Sequence, residues 1–257
     1  MNGMFMKIRL ASVGSTNAEL RRMAADGEAP HGLALCAVEQ IAGRGQRGNG
    51  WEAEPGANVT MSLMLRPAAV SARRQFLLSM AVSLGVCEAV SSFIPGEDVA
   101  VKWPNDIYVG DRKLCGILIE NTLSGAMIAA SIAGIGVNVN QLRFLSDAPN
   151  PVSLAMVAAH AFDVEAVEDA VARAVVARVD AIDAALLAGD EGCAEALKGA
   201  YMARLWRREG MHPYRDAATG ELFSASIADV ATDGTLWLST GSGRCRGYLF
   251  KEVASVL

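Results

Sequence analysis

Gln40-Ile41-Ala42-Gly43-Arg44-Gly45-Gln46-Arg47-Gly48-Asn49-Gly50-Trp51 is the stretch on which the reading of this chain turns. Glycines at this density let a backbone approach a ligand and turn its N–H groups toward an anion. Arg44 and Arg47 add planar donors matched to phosphate or carboxylate. Trp51 supplies an apolar cover at the end of the loop. A surface loop with solvated charge is the plainer alternative. Gly43-x-Gly45-x-x-Gly48 spells a dinucleotide fingerprint, but Val59, Met61, Leu63 and Leu65 then alternate with Thr60, Ser62 and Met64. That alternation predicts a strand. No helix N-terminus then stands ready for a pyrophosphate, so a doubly wound dinucleotide fold is set aside. No Gly-Lys-Ser/Thr follows a G-x-x-x-x spacer here, which sets aside a P-loop as well.

Upstream of the loop, Leu33 to Glu39 reads as a buried strand, and Thr16-Asn17-Ala18-Glu19 has the form of a capping box whose helix Gly27 can close. Downstream, Arg73 to Phe93 reads as a long apolar-faced helix. Val99 to Val109 and Lys113 to Glu120 read as two strands around a Gly110-Asp111 turn. After a second turn signal at Ser124-Gly125, Met127 to Val139 reads as strand interrupted by Gly134 and Gly136. Ser153 to Phe162, Glu165 to Leu187 and Glu191 to Trp206 read as helices. In the middle one, Val167, Val171, Val175, Val179, Ile182 and Leu186 recur every three to four residues, with charge opposite. From Gly210 the texture changes, and turn signals at Thr219-Gly220, Asp233-Gly234 and Gly241-Ser242-Gly243 separate short alternating strands. The expectation is an α+β protein: a mixed, mostly antiparallel sheet with flanking helices over residues 1–209, and a small antiparallel barrel over 210–257.

A chain of 257 residues is one large domain, or a main domain with a small appendage. Its 23 Lys and Arg against 28 Asp and Glu give a net charge of −5. This argues against wholesale nucleic-acid binding while leaving room for a local basic pocket. With 52% hydrophobic and 20% charged residues, disorder is excluded. The five cysteines (Cys36, Cys87, Cys115, Cys193, Cys245) form no CxxC, and His31, His160 and His212 lie far apart. Neither a zinc site nor a disulfide framework is expected. The N-terminus lacks a basic segment followed by an apolar one, and no apolar run reaches bilayer length. The expected compartment is the reducing cytoplasm.

Three further segments carry chemistry. In Lys102-Trp103-Pro104-Asn105-Asp106, Pro104 stops a strand, Lys102 offers a point charge, Asn105 donates and accepts, and Asp106 suits Mg²⁺ or a proton. An ordinary strand-end turn accounts for the same residues. In Asp111 to Glu120 a basic residue, Lys113, opens an apolar strand, and Gly116 admits something close to the backbone; alone, Lys113 reads equally as an exposed hairpin lysine. In Gly134-Ile135-Gly136-Val137-Asn138 two glycines inside a strand mark either close approach of a ligand or a bulge.

Together these segments resemble biotin–protein ligases. That family shows S-T-N near the start, then Q-x-A-G-R-G-(R/Q)-x-G-x-x-W, K-W-P-N-D, K-x-x-G-I-L-x-E and G-I-G-x-N. Here they stand, in the same order, at Ser15-Thr16-Asn17, Gln40 to Trp51, Lys102 to Asp106, Lys113 to Glu120 and Gly134 to Asn138. The resemblance covers residues 7 to 140, and Phe250-Lys251-Glu252-Val253 is similar to the family's C-terminal barrel. It implies the sheet architecture shared with class II aminoacyl-tRNA synthetases and an SH3-like barrel behind it. It also implies an ATP-dependent ligase that makes biotinyl-5′-adenylate and passes biotin to a lysine of a biotin carboxyl carrier domain, such as that of acetyl-CoA carboxylase. ATP, Mg²⁺ and biotin are the implied small molecules.

By the same resemblance Ser15, Thr16, Asn17 and Gln40 contact biotin. Gly43, Arg44, Gly45 and Gln46 close over it, with Arg44 also on the phosphate and Arg47 on ATP. Trp51 packs over the ligand. Lys113 bridges the biotin carbonyl and the α-phosphate. Gly116, Gly134 and Gly136 floor the site. Lys102 meets the phosphates, Asn105 and Asn138 meet the nucleotide, and Asp106 meets Mg²⁺ or the incoming lysine. The implied reacting set is Arg44, Lys113 and Asp106. Two departures stand out. Gln46 replaces the second arginine of many members, and about seven residues precede the core, too few for a DNA-binding domain. With the acidic charge, the expectation is no DNA binding, no membrane binding and a monomer or weak homodimer. A lipoate–protein ligase shares the fold and chemistry, but Lys-Trp-Pro-Asn-Asp and Gly-Arg-Gly favour biotin. A non-catalytic binding protein is disfavoured because Arg44 and Lys113 are both present.

Overall fold

The computed structural model describes residues 4–43, 45, 50–145 and 150–256. Arg44, Gln46 and Arg47 lie outside them. The chain runs β1 (Met6–Val13), α1 (Thr16–Ala25), β2 (Leu33–Gln40), β3 (Val59–Leu65), α2 (Phe76–Ser91), β4 (Val99–Lys102), β5 (Asp106–Val109), β6 (Arg112–Ser124) and β7 (Met127–Val137). It continues with α3 (Leu154–Ala158), α4 (Val164–Leu187), α5 (Cys193–Ala203), β8 (His212–Asp216), β9 (Leu222–Val230), β10 (Leu236–Thr240), β11 (Cys245–Tyr248) and β12 (Val253–Ser255).

Seven strands form one sheet in the order β1-β2-β3-β7-β6-β5-β4. Among the described residues β1 and β2 pair in parallel and the other strand pairs of this sheet are antiparallel. Both faces are covered, which is why β3 is buried at every position rather than alternately. Leu33, Leu35, Met64 and Ile132 face Leu20 of α1, whereas Ala34, Cys36, Leu63 and Leu65 face the opposite layer of α2 and α4. A side chain at Gly85 would sit 2.8 Å from the Val175 Cα, so glycine lets α2 and α4 cross in contact. The valine stripe of α4 is buried from Val167 to Val179 as its spacing demands, and Asp163 caps the helix by accepting from the Glu165 N–H.

The second sheet, β11-β10-β9-β8-β12, is antiparallel throughout. It is consistent with the small SH3-like unit expected at the C-terminus, though its end strands are not paired with each other among the described residues, so no closed barrel is seen. Tyr214, Leu236, Leu238 and Val253 belong to the same core cluster as α2 and α4, so apolar packing runs unbroken between the sheets.

Several boundaries differ from the sequence reading. The segment Val99 to Val109 is a hairpin of β4 and β5, because the Trp103-Pro104-Asn105 turn folds the chain back. Strand β7 is not interrupted at Gly134 and Gly136; ladder pairing continues through both. The long helix opens with a separate 3-10 turn at Ala72–Arg74. Helix α3 stops early, with Ala159 left-handed at φ +59°, and α5 covers only the middle of its predicted range. The capping box does not form: Ser15 caps α1 without a side-chain bond, and Glu19 pairs with Arg22 instead. The Thr16 hydroxyl is engaged elsewhere. Gly27 closes α1 as expected, at φ +77°.

Candidate active site

Where β2 ends and α1 begins, the chain builds a buried polar cluster. The Gln40 Oε1 accepts from both the Thr16 N–H at 2.9 Å and the Thr16 hydroxyl at 3.1 Å. The Ser62 hydroxyl, from β3, stands between Thr16 Oγ1 at 2.7 Å and Asn17 Oδ1 at 2.5 Å. The Asn17 amide donates to Glu120 at 2.7 Å, and Glu120 also receives Arg21. A Cβ at Gly134 would overlap the Asn17 carboxamide, so the strand glycine exists to seat that side chain. Ser15, Thr16 and Asn17 are all buried yet face a cavity of about 690 Å³. Ser62 carried no signal in the sequence, since it sits within an ordinary strand pattern; Glu120 closes the Lys113 to Glu120 motif but was given no role there.

Gly116 and Gly136 are partners across β6 and β7. Side chains there would collide with the Trp51 indole, which therefore lies on two bare backbones. The indole lies over these two glycines, which, with Gly134, also line the cavity. The Trp51 Nε1 is buried and has no hydrogen-bond partner among the described residues. The Trp51 N–H donates to the Gly43 carbonyl at 3.1 Å. A Cβ at Gly43 would lie 2.6 Å from the Trp51 carbonyl oxygen and 2.8 Å from Gln40 Nε2, which explains glycine at the root of the loop. Gly45 lies on the cavity wall.

The other end of the cavity is charged. Lys102 and Asp106 are register partners across the β4–β5 hairpin. The Lys113 ammonium, from the start of β6, donates to Asp106 Oδ2 at 2.7 Å, and both side chains keep about a quarter of their surface exposed. Lys102 Nζ donates to the Tyr108 hydroxyl at 3.1 Å and lies 4.9 Å over the Tyr108 ring and 5.4 Å from the Trp206 ring. Burial lowers the Lys102 pKa, with Lys113 and Arg207 adding to that and Asp106 opposing it. Burial likewise pushes the Tyr108 phenol up, so it stays protonated. Cys115 is fully buried and its thiol is pushed well up by burial, a packing residue and not a nucleophile.

Two predicted nucleotide contacts behave differently. Asn105 is buried and is not on the cavity wall, whereas Asn138 is on it. Its Nδ2 nevertheless donates to the Val152 carbonyl at 3.0 Å, bracing the chain that returns beside β6. The remaining wall is unexpected: Tyr214, Leu236, Phe250 and Val253 to Ser255 bring the second sheet to the charged end. Among the described residues no cluster of three or more His, Cys, Asp or Glu could hold a metal, and no helix is long and apolar enough to cross a membrane. One cavity thus joins a neutral, hydrogen-bonding end to a cationic end, a layout suited to a molecule with a polar ring and an anionic tail.

Comparison with known proteins gives the fold first. A biotin protein ligase from Aquifex aeolicus, in complex with biotin and ATP, superposes with a TM-score of 0.77 over 97% of this chain and 98% of its own, at 23% identity. The architecture is that of the biotin protein ligases. Residues 11–138 match the model of the Biotin/lipoate A/B protein ligase family. A biotin–[acetyl-CoA-carboxylase] ligase of Paracoccus denitrificans is 36% identical over 64% of this chain and 69% of its own length. One of Mycobacterium tuberculosis is 37% identical over 51% of this chain and 48% of its own. The chain belongs to the biotin/lipoate A/B protein ligase family. It spans about half the length, or less, of several curated relatives it matches.

Proposed function

We propose that the protein is a biotin–protein ligase acting through biotinyl-5′-adenylate. The observation that carries this reading is the shared cavity, with the Thr16-Asn17-Gln40 cluster at one end and Lys102, Lys113 and Asp106 at the other. In the first step a biotin carboxylate oxygen attacks the α-phosphorus of ATP; the bond to the bridging oxygen of the β-phosphate breaks and pyrophosphate leaves. Two anions must meet, so Lys113 and Lys102, with Arg44 from the loop, offset their repulsion as charge moves. In the second step a carrier lysine amine attacks the acyl carbon, the bond to the phosphate oxygen breaks, AMP leaves and the amine gives up a proton. In this reading Asp106 receives that proton or orients the amine. Ser15, Thr16, Asn17 and Gln40 hold the ureido ring. Gly43, Arg44, Gly45 and Gln46 contact biotin, Arg47 contacts ATP, and Trp51 shields the anhydride from water.

Mg²⁺ would enter with ATP, held by its phosphates and met by Asp106; the ion supplies charge neutralisation on the phosphates. In this reading residues 1–209 form the catalytic unit and 210–257 the C-terminal one. The acceptor is a biotin carboxyl carrier domain, of which that of acetyl-CoA carboxylase is the first to try. The protein works in the cytoplasm, as a monomer or weak homodimer, without binding DNA. The test is incubation of a purified carrier domain with the protein, MgATP and biotin or lipoate, read by intact mass. A single biotin adduct on one lysine is expected. An adduct with lipoate alone would move the protein to the other branch of the family.

A further inference from the structure

The Lys102–Asp106 turn is gripped from outside its own sheet. The Tyr201 hydroxyl, from α5, donates to the Pro104 carbonyl at 2.7 Å, and Tyr201 is completely buried. Its ring meets Phe76 edge-on at 5.8 Å. Phe76 in turn lies against Gly234 of the second sheet, where a Cβ would come within 2.9 Å of the Phe76 ring. The Gly234 carbonyl accepts from the Trp103 indole N–H at 3.1 Å, and the Trp103 ring meets Phe250 at 5.9 Å. The two residues between Lys102 and Asn105 are therefore each tied by one hydrogen bond, one to α5 and one to the second sheet. These two bonds add to the β4–β5 ladder that pairs Lys102 with Asp106 and to the Val101 main-chain bonds with Arg204 and Trp206, and they constrain the aim of the flanking side chains from the turn itself.

We infer that Tyr201, outside every motif of this chain, is a positioning residue that holds Asp106 and Lys102 in register with Lys113. The inference rests on the function proposed above. Tyr201 touches none of the reacting groups; it acts through the Pro104 carbonyl. A misplacement of a reacting group by an ångström or less is enough to slow a reaction strongly. The polar end of the cavity is built from β2, β3 and α1 with Glu120 of β6, and neither bond of the turn reaches these residues. The defect should therefore fall on turnover and spare biotin recognition.

The test is Tyr201→Phe, which keeps the ring and removes only the hydroxyl. Expected is a fall in kcat of biotin-dependent ATP–pyrophosphate exchange by about tenfold, from loss of one buried hydrogen bond, with the biotin KM changed less than twofold. Trp103→Phe, which removes the other donor, should act in the same direction. It also serves if Tyr201→Phe proves unstable. A purely structural role would lower the melting temperature and the active fraction while leaving kcat per folded molecule unchanged; that outcome in both variants overturns the inference. Wild-type protein that shows no biotin-dependent exchange would instead remove the functional reading on which it rests. A normal kcat in both variants beside an active wild type removes the positioning role alone.

Discussion

The two ends of the cavity are held by different means. At the polar end, Thr16, Asn17, Gln40, Ser62 and Glu120 hydrogen-bond directly to one another across adjacent elements of one sheet and its helix. At the charged end, the hairpin that carries Lys102 and Asp106 is an edge of that sheet and depends on α5 and the second sheet to stay in place. A self-contained network discriminates a neutral ring well, because an unmatched ligand leaves buried polar groups unpaired. A cationic end braced from outside suits groups that must meet changing charge.

The largest way to separate the two ends is Lys113→Ala. The strand keeps its main-chain bonds to Asn150 and Val152, so folding should survive. Exchange should fall by about 10²–10³ if one charge-stabilising donor is lost, while biotin still binds by calorimetry. Equal loss of biotin binding would show that the ends are not separable.

Gly136→Ala strikes the seam between them. Its methyl would meet the Trp51 indole on the strand, so the ring must leave or the sheet must shift. A cost of about 1–3 kcal/mol is expected, read as a lower denaturant midpoint with altered tryptophan fluorescence. A smaller effect is expected for Thr16→Val, which removes the hydroxyl's bonds to Gln40 and Ser62 and keeps the main-chain bond to Gln40. The biotin KM should rise about tenfold with kcat nearly constant. A fall in kcat instead would mean the polar end also acts in the reaction.

The smallest effect sharpens the charged end. Lys102 is useful only while protonated, and burial brings its pKa below the ordinary lysine value. Activity should therefore decline on the alkaline side at a lower pH than an exposed lysine would give. Lys102→Arg keeps its charge through that range, and should move the alkaline limb upward while changing the neutral rate by a few-fold. A limb that stays put would assign it to another group.

The polar end was legible through the resemblance carried by Ser15-Thr16-Asn17 and Gln40, whereas the local reading of the first stretch as a capping box did not hold. Ser15-Thr16-Asn17 opens a helix, Gln40 ends a strand, and the glycines that admit Trp51 and Asn17 stand out inside strands. What was hidden is pairing over distance along the chain: Glu120 closes a quoted motif, but its bond to Asn17 does not show there. Glu120 lies 103 residues from its partner Asn17, and Tyr201 lies 97 from Pro104. Nothing in the periodicity of β6 or α5 distinguishes those positions. The second sheet's share of the cavity wall was equally invisible, since Leu236 and Val253 read as plain strand residues. The strand pattern was readable, whereas the continuous core between the sheets follows from packing that local sequence does not record.

The most direct test of the account is ATP–pyrophosphate exchange with Mg²⁺ and either biotin, lipoate or no acid. Exchange that requires biotin, and disappears in Lys113→Ala, is the predicted result. A folded sample with no exchange on either acid would contradict the account, leaving the cavity as a binding site without the adenylating step.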